Sequence, residues 1–300
     1  MTASAQDGRK LRLGTATPGG GFPVYGAAFV EAVTGADPGL AIEAINTKGS
    51  TENVPLLEAG RLDIALVQGE IVHETLTGIG RPPANLKVIT AMYSTAGMFI
   101  VRADSPYRTI EDLKGKPVAF GAAGSGLVVL ARYVLDGIGL NPDKDFQAIY
   151  LERAGDGPAM VMDGRAAALW GGGSGWPGFM AVSKGEKGGR FIVPSKAQIQ
   201  QIRAKHTFLK PLTLPAGKFP GQTTALDSVG SWSFVLARPD LDEAIAYRLA
   251  KALHKGEAAI AARLPQAAET TARNTVAGVA DARMIHPGVQ RYLREAGLLR

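Results

Sequence analysis

Short apolar strands alternate with helix-compatible segments, and this alternation constrains the fold more than any other feature of the sequence. Strands are expected at residues 11–15, 40–45 and 62–67, and Ser50 or Thr51 can cap a helix between the last two. Such alternation predicts an α/β fold, with a mainly parallel sheet that carries helices on both faces.

The same layout restarts after a fourth strand at residues 86–92. In this second unit a helix is expected at residues 127–135, and strands are expected at residues 117–120, 146–151 and 166–170. The last part of the chain has a mostly helical pattern, and those helices need a sheet to pack against. We expect the chain to return to the first unit through the apolar residues 232–236.

This return predicts two lobes that are joined by two crossover segments. Lobe I would hold residues 1–95 together with residues 235–300, and lobe II would hold residues 96–234. The hinge would lie near residues 95–103 and 222–237. A chain of 300 residues is long enough for two domains of ordinary size.

Composition narrows the possible functions. The formal net charge of +6 comes without a block of basic residues, so we interpret it as a solvated basic face, not a nucleic-acid surface. There are no cysteines, which excludes disulfides, thiolate metal sites and cysteine nucleophiles. No apolar run approaches the ~20 residues of a membrane span, so we expect a soluble chain. Ala3-Ser4-Ala5 resembles a signal-peptidase site, which indicates a leader peptide that was removed or trimmed.

Three glycine-containing turns have the design of an anion site. Residues 15–21, 49–53 and 121–126 each lead from a strand region into a helix and carry Ser or Thr hydroxyls. Backbone N–H groups at a helix start are partly positive and bind anions. Ligands of open α/β sheets bind outside the carboxyl ends of the strands, so all three turns could face one cleft. Taken singly, each could also be an ordinary strand-to-helix turn.

The segment from Trp170 to Trp176 is a fourth candidate, because two indoles flank a flexible glycine-rich loop that contains Gly173. An indole supplies a flat apolar wall and one N–H donor. Packing of both indoles in the core is an equal alternative.

No catalytic or metal-binding pattern stands out. The four histidines are scattered, and the sequence has no H-E-x-x-H pair, no G-x-S-x-G elbow and no phosphate-loop lysine motif. We therefore expect no enzyme activity, no metal and no cofactor, and we expect His73 and His286 to be surface or capping residues.

Several motifs occur together in a specific order and spacing. They are Gly19 to Phe22, Gly49 to Asn53, residues 57–68, residues 121–126, and His286-Pro287-Gly288. In this order the chain resembles, nearly end to end, the TAXI family of solute-binding proteins, which serve tripartite ATP-independent periplasmic (TRAP) transporters.

The resemblance implies a periplasmic-binding-protein fold with two lobes, in which two mixed or parallel sheets are flanked by helices and hinged by two crossover segments. It also implies a periplasmic monomer, a small carboxylate ligand such as an organic acid or amino acid, and TRAP membrane subunits that use an ion gradient. The turns and the resemblance together give the expected ligand-binding residues: Thr15, Thr17, Gly20, Gly21, Phe22, Tyr25, Ser50, Thr51, Asn53, Gln68, Tyr93, Gly124, Ser125, Gly126, Trp170, Gly173 and Trp176.

The chain departs from the family pattern at several of these positions. Pro23 stands where a second aromatic residue is usual, Gly69-Glu70 replaces a Ser-Asp pair, and Leu127 replaces a hydroxyl residue. With Trp170 and Trp176, these changes indicate a more apolar pocket than that of glutamate binders. We hypothesise an aromatic or branched carboxylate as the ligand.

Two other functions remain open from the sequence. A binding protein of an ATP-driven (ABC) importer would have the same fold and a different membrane partner. An enzyme on the same two-lobed scaffold would need a catalytic base or lysine in the cleft, and no convincing one is found.

Overall fold

The computed structural model describes residues 10–300, so the motif Ala3-Ser4-Ala5 lies outside the described residues. The strands are β1 Leu11–Gly14, β2 Ile42–Ile45, β3 Ile64–Val67, β4 Lys87–Arg102, β5 Pro117–Ala122, β6 Gln147–Leu151, β7 Ala168–Gly172, β8 Gly189–Ile192, β9 Lys210–Leu214 and β10 Leu226–Ala237. The helices are α1 Gly21–Ala36, α2 Ser50–Glu58, α3 Gly69–Thr77, α4 Gly126–Gly137, α5 Pro142–Asp145, α6 Gly157–Met162, α7 Pro177–Lys184, α8 Lys196–Lys205, α9 Glu243–Arg263, α10 Ala272–Gly278 and α11 Pro287–Glu295.

The strands follow the order β2-β1-β3-β10-β4-β7-β5-β6, with β8 beside β4 and β9 beside β10. The pairs β1–β2, β1–β3, β5–β6 and β5–β7 are parallel, whereas β4 and β10 pair antiparallel with their neighbours. This is a mixed α/β architecture, which confirms the predicted fold class.

Two long strands carry the chain between the two halves of the sheet. The first part of β4 pairs with β10, and its residues Gly97 to Ile100 pair with β7. In the same way, β10 pairs through Leu226 to Gly230 with β9, and through Phe234 to Ala237 with β3. Strand β10 lies within the predicted hinge segment 222–237, and β4 overlaps the other segment, 95–103. The division into two lobes at these strands stays a prediction.

Each half of the sheet is covered by apolar clusters. Helices α1, α9 and α11 cover one face of the first half, where Leu13, Phe29 and Leu249 are fully buried. Phe120, Leu130 and Trp170 lie in a separate buried cluster of the second half. Side chains alternate between the faces of a strand, so these continuous apolar strands are buried on both faces.

Some elements differ from the sequence-based expectation. The strand expected at residues 86–92 continues to Arg102 as the single strand β4, because this stretch is apolar and pairs throughout with β10, β7 and β8. Helix α9 runs through Gly256, whose Cα packs closely on Ala32. Helix α3 is an element that the sequence analysis missed. Among the described residues, no helix is both long enough and apolar enough to traverse a bilayer.

Candidate ligand-binding cleft

A cavity of about 50 Å³ lies where the two halves of the sheet meet. It is lined by Ala16, Thr17, Gly20, Gly21, Phe22, Lys48, Gly49, Ser50, Gln68, Tyr93, Thr95, Gly121, Ala122, Ser125, Leu127, Ala154, Gly172 and Trp176. We call this cavity the cleft. A cavity needs roughly 10–15 Å³ of such volume to hold one water molecule. The cleft therefore has room for a small solute only.

Five helices begin at the cleft. Their N-cap residues all line it: Gly20 of α1, Gly49 of α2, Gln68 of α3, Ser125 of α4 and Trp176 of α7. The first N–H groups of a helix have no partner within the helix and carry a partial positive charge. Five such ends around one small cavity surround it with partly positive backbone donors.

Side chains hold these turns in place. Asn53 is buried, and its Nδ2 donates to the carbonyl oxygens of Thr15 and Leu66 at 2.8 Å each, which joins the first turn, α2 and the end of β3. The backbone N–H of Gln68 donates to Ser50 Oγ at 3.0 Å. Gly49 has a φ of 117°, which side-chain-bearing residues rarely adopt, so the turn before α2 requires a glycine.

The charges of the cleft favour an anion. Among residues 10–300, Lys48 is the only charged residue that lines it, and no carboxylate does. The Tyr93 hydroxyl also faces the cavity, and burial raises the pKa of Tyr93 well above its usual value, so the phenol keeps its proton. Within residues 10–300 the Nε2 of Gln68 has no hydrogen-bond partner of normal geometry. The cleft therefore offers donors without a competing negative charge.

Backbone contacts close the cleft at two places. Thr51 donates from both N and Oγ1 to the carbonyl oxygen of Gly124, at 3.3 and 3.0 Å. On the other side, the N–H of Ala154 donates to Thr17 Oγ1 at 3.1 Å. Both contacts join a turn of the first half to a turn of the second half, so the structure is in a closed state.

Two glycines allow this close approach. A Cβ on Gly124 would lie 2.7 Å from the carbonyl oxygen of Lys48, and a Cβ on Gly19 would lie 2.5 Å from the Cα of Gly155. Real side chains do not approach so closely, so a larger residue at either position would hold the halves apart.

The structure brings together nine of the residues that the sequence analysis named for ligand binding. These are Thr17, Gly20, Gly21, Phe22, Ser50, Gln68, Tyr93, Ser125 and Trp176. They come from both halves of the sheet, which supports the expectation that the glycine-containing turns share one cleft.

Four named residues do not line the cleft and have structural partners instead. Thr15 Oγ1 donates to the carbonyl oxygen of Ile45, Asn53 ties the turns, and the Tyr25 hydroxyl lies 3.2 Å from Thr270 Oγ1. Trp170 is fully buried, and its Nε1 donates to the carbonyl oxygen of Leu127, so core packing explains this indole. These four residues were expected to contact the ligand directly, but in this structure they do not line the cleft.

Four other named residues lie next to the cleft without lining it. Thr51 and Gly124 make the closing contact described above. Gly126 follows Ser125, and a Cβ there would meet the Gln68 side chain at 2.5 Å. Gly173 has a φ of 85°, and it packs against Gln266.

The sequence analysis missed Lys48, Thr95, Ala154 and Gly172 in the lining of the cleft. Lys48 adjoins the predicted turn at residues 49–53, so extending that turn by one residue would have found it. Gly172 lies inside the candidate segment from Trp170 to Trp176, in which only Gly173 and the two indoles were named. Ala154 gave no signal of its own, because its place depends on how the two halves close.

Of the two histidines, His286 has the capping role that was expected, whereas His73 is half-buried and does not cap its helix. His286 is buried and caps α11, because its Nδ1 accepts a hydrogen bond from the N–H of Gly288. His73 stacks on Phe208 with ring centroids 4.1 Å apart. Within the described part of the chain, no three His, Asp or Glu side chains are grouped so that they could hold a metal ion.

One buried carboxyl group lies behind the cleft. Glu70, in the first turn of α3, is fully buried and accepts a hydrogen bond from Ser231 Oγ of β10 at 2.6 Å. Burial raises the pKa of Glu70 from its ordinary 4.5 to about 7, although the hydrogen bond from Ser231 opposes this shift. The carboxyl group is therefore largely protonated below neutral pH.

Comparison with known families gives one match that spans nearly the whole chain. The sequence model of the NMT1-like family matches residues 13–297.

Solved structures share the fold at low sequence identity. The substrate binding protein of an amino acid ABC transporter is 13% identical, with a TM-score of 0.52 over 86% of this chain and 99% of that chain. A TctC solute binding protein from Polaromonas is 18% identical, with a TM-score of 0.52 over 90% and 91% of the two chains. The alkanesulfonate-binding protein SsuA from Xanthomonas axonopodis pv. citri, bound to MOPS, is 16% identical, with a TM-score of 0.51 over 97% and 94%. The fold is therefore that of two-lobed periplasmic solute-binding proteins.

Proposed function

The chain belongs to the NMT1-like family, and from this premise and the geometry of the cleft we propose that it is an extracytoplasmic solute-binding protein. It would capture a small organic acid or amino acid between its two lobes and deliver the solute to a TRAP-type membrane transporter. The convergence of five helix N-termini on a cavity without carboxylates is the observation that carries this proposal.

Capture and closure would be a single event. The ligand's carboxylate would accept hydrogen bonds from helix-start N–H groups of α1 and α2 on one side and of α4 on the other. A ligand shifts the open–closed equilibrium only by binding the closed state more tightly, and a solute that bridges both halves does this. Charge-assisted hydrogen bonds contribute about 1.5–3 kcal/mol each, so a few of them account for micromolar affinity.

The walls of the cleft support a ligand with an apolar body. Phe22, Tyr93, Leu127 and Trp176 surround the polar helix ends, and none of them carries a charge that could pair with a second ionic group. A ligand amino group would therefore lack a carboxylate partner. This favours an aromatic or branched carboxylate over glutamate.

The choice of a TRAP partner rests on the sequence resemblance to the TAXI family. Uptake assays in a host that carries the neighbouring transport genes would test it. We expect an ionophore that collapses the ion gradient to abolish uptake, and vanadate to leave uptake unchanged. Inhibition by vanadate alone would point to an ABC importer instead.

Identification of the bound solute tests the proposal most broadly. The protein would first be purified under native conditions and then denatured. The small molecules released by denaturation would be identified by mass spectrometry. Calorimetric titrations with phenylacetate, 3-methylbutanoate and glutamate would follow, with phenylacetamide as the uncharged control. We expect an organic acid in the released fraction, and binding of the apolar acids without binding of the amide.

Two results would contradict this account. A neutral or cationic solute in the released fraction would refute an anion site. Tight glutamate binding without any response to the apolar acids would leave the solute-binding function intact and overturn the apolar ligand class.

A further inference from the structure

A second cavity, ten times larger than the cleft, lies beside the paired crossover strands β4 and β10. Its volume is about 530 Å³, which falls in the range of about 300–1,000 Å³ that is typical of small-molecule pockets. We call it the groove. Its walls are formed by α3, by the segment 274–284 and by part of β10. Phe208, which precedes β9, and Lys210, the first residue of β9, complete the lining.

The register of the crossover strands separates the groove from the cleft. Tyr93 and Thr95 of β4 line the cleft, whereas Trp232 of β10 lines the groove and pairs with Ser94. Directly paired residues point to the same face of a sheet, and neighbouring residues along a strand point to opposite faces. The side chains of Trp232 and Tyr93 therefore lie on opposite faces of the paired strands, and no residue lines both cavities, so the groove and the cleft are distinct sites.

The body of the groove is apolar and partly aromatic. Val72, Leu76, Trp232, Phe234 and Met284 line it. Trp232 remains partly exposed in the groove. Contact of the apolar indole surface with water is unfavourable, so covering it with a ligand would lower the free energy. The stacked rings of His73 and Phe208 join α3 to the segment before β9, and burial lowers the pKa of His73, so its ring is neutral at pH 7.

One charge lies at the rim of the groove. The ammonium of Lys210 is exposed and pairs with no acidic side chain in residues 10–300, and no carboxylate lines the groove. A flat apolar wall beside a single free cation complements a ligand with an apolar body and one negative charge.

We propose that the groove is a second ligand site, which binds a flat, apolar monoanion such as an aromatic carboxylate or sulfonate. The apolar body would lie against Trp232 and Phe234, and the anionic group would reach Lys210. This inference does not rest on the function proposed for the cleft, because no residue of the groove lines the cleft.

Calorimetry with 2-naphthoate, and with the uncharged 2-naphthamide as comparator, tests the site on the full chain. We expect naphthoate to bind about fivefold more tightly than naphthamide, as an ion pair at an exposed rim would give. Lys210→Gln should remove this difference between acid and amide. Ala277→Trp adds an indole at an exposed position of the groove wall and should weaken naphthoate binding by about tenfold or more.

Two control variants distinguish binding in the groove from binding in the cleft or elsewhere on the surface. Ala258→Trp places the same bulk at an exposed position of α9 outside the groove, and Ser125→Ala alters the cleft. Ala258→Trp should leave naphthoate affinity unchanged, and Ser125→Ala should leave the Lys210-dependent difference between acid and amide unchanged. Equal binding of acid and amide to the unaltered protein would overturn the proposal, and so would loss of naphthoate binding in Ser125→Ala alone. Circular dichroism checks that the Ala277→Trp variant is folded. If that variant is unfolded, Lys210→Gln, which changes an exposed side chain, tests naphthoate binding in the groove.

Discussion

The cleft and the groove both draw residues from β4, yet they are built from different groups. The cleft is small and polar at its ends, and its binding groups are backbone amides at helix starts and a few hydroxyls. The groove is large, and its binding groups are apolar side chains from segments that are far apart in sequence. Backbone donors in glycine-containing turns have a fixed geometry that suits one small charged group of a ligand. Apolar walls instead select ligands by the shape and area of their apolar surface.

The contrast also explains how much of each site the sequence reveals. Glycine turns before helices are local patterns, so the turns at residues 15–21, 49–53 and 121–126 could be recognised and placed in one cleft. The groove draws on α3, β10 and the segment 274–284, whose contacts depend on the tertiary fold. No local pattern in the sequence predicts such an assembly.

The buried carboxyl group between the two sites gives the largest predicted effect. Glu70 keeps its proton up to a pKa of about 7 in the folded state, against an ordinary 4.5. The folded state then binds more protons than the unfolded state, so the free energy of unfolding should fall as pH rises from about 4.5 to 7. The expected loss is about 3 kcal/mol, and it levels off above pH 7.

Urea denaturation at pH 5, 6, 7 and 8 measures this loss. Glu70→Gln should remove most of the pH dependence, because the amide keeps an acceptor for Ser231 and has no proton to lose. Glu186→Gln, at a side chain that is 90% exposed, is the control and should behave like the unaltered protein. An identical pH slope in both variants would show that Glu70 does not titrate in this range.

Closure of the cleft should be prevented by a side chain at Gly124. In Gly124→Val, the new Cβ would meet the backbone of Lys48, so the closed state is overpacked by about 1–3 kcal/mol. Affinity for the cleft solute should fall about 10- to 100-fold in calorimetry. Gly35→Ala is the control, because a Cβ on Gly35 has no neighbour within 4 Å. Unchanged affinity in Gly124→Val would separate binding from closure.

The hydroxyl of Ser125 should matter to the cleft beyond its role as a helix cap. Ser125 caps α4 and Ser195 caps α8, each by accepting from a backbone N–H of the first turn. Either serine-to-alanine change should lower the free energy of unfolding by about 1 kcal/mol. Only Ser125→Ala should also weaken solute binding, and a thermal melt with a parallel titration compares the two. Equal affinities in both variants would remove Ser125 from the binding site.

The smallest effect is expected from a single closing hydrogen bond. Thr17→Val removes the acceptor of the Ala154 N–H and should lower solute affinity by about two- to tenfold, since one hydrogen bond contributes about 0.5–1.5 kcal/mol. Thr213→Val removes a hydrogen bond to Asp227 on the exposed strand β9 and should leave affinity unchanged. An effect of equal size in both variants would mean that Thr17 acts on stability in general.

The sequence predicted the fold class, the crossover strands and much of the cleft lining for identifiable reasons. Apolar alternation located most strands, and turn glycines located the helix starts around the cleft. Helix α3 was missed because Gly69 at its start is a weak helix signal, and only its packing on Ser231 and Trp232 explains a glycine there. Trp170 was predicted to contact the ligand because a tryptophan beside glycines gives the same sequence pattern in a core and in a binding pocket. Only the fold shows that Trp170 is a core residue.

A distance measured across the cleft tests the central claim most directly. The chain has no cysteines, so Val24→Cys and Met162→Cys allow specific spin labels at two exposed positions, one on α1 and one on α6. Pulsed electron paramagnetic resonance would give the label-to-label distance with and without the solute that co-purifies with the protein. If amides from both halves grip one anion, the solute should convert a broad, longer distribution into a single shorter distance. The same distribution in both samples, at a solute concentration that saturates binding, would contradict the account.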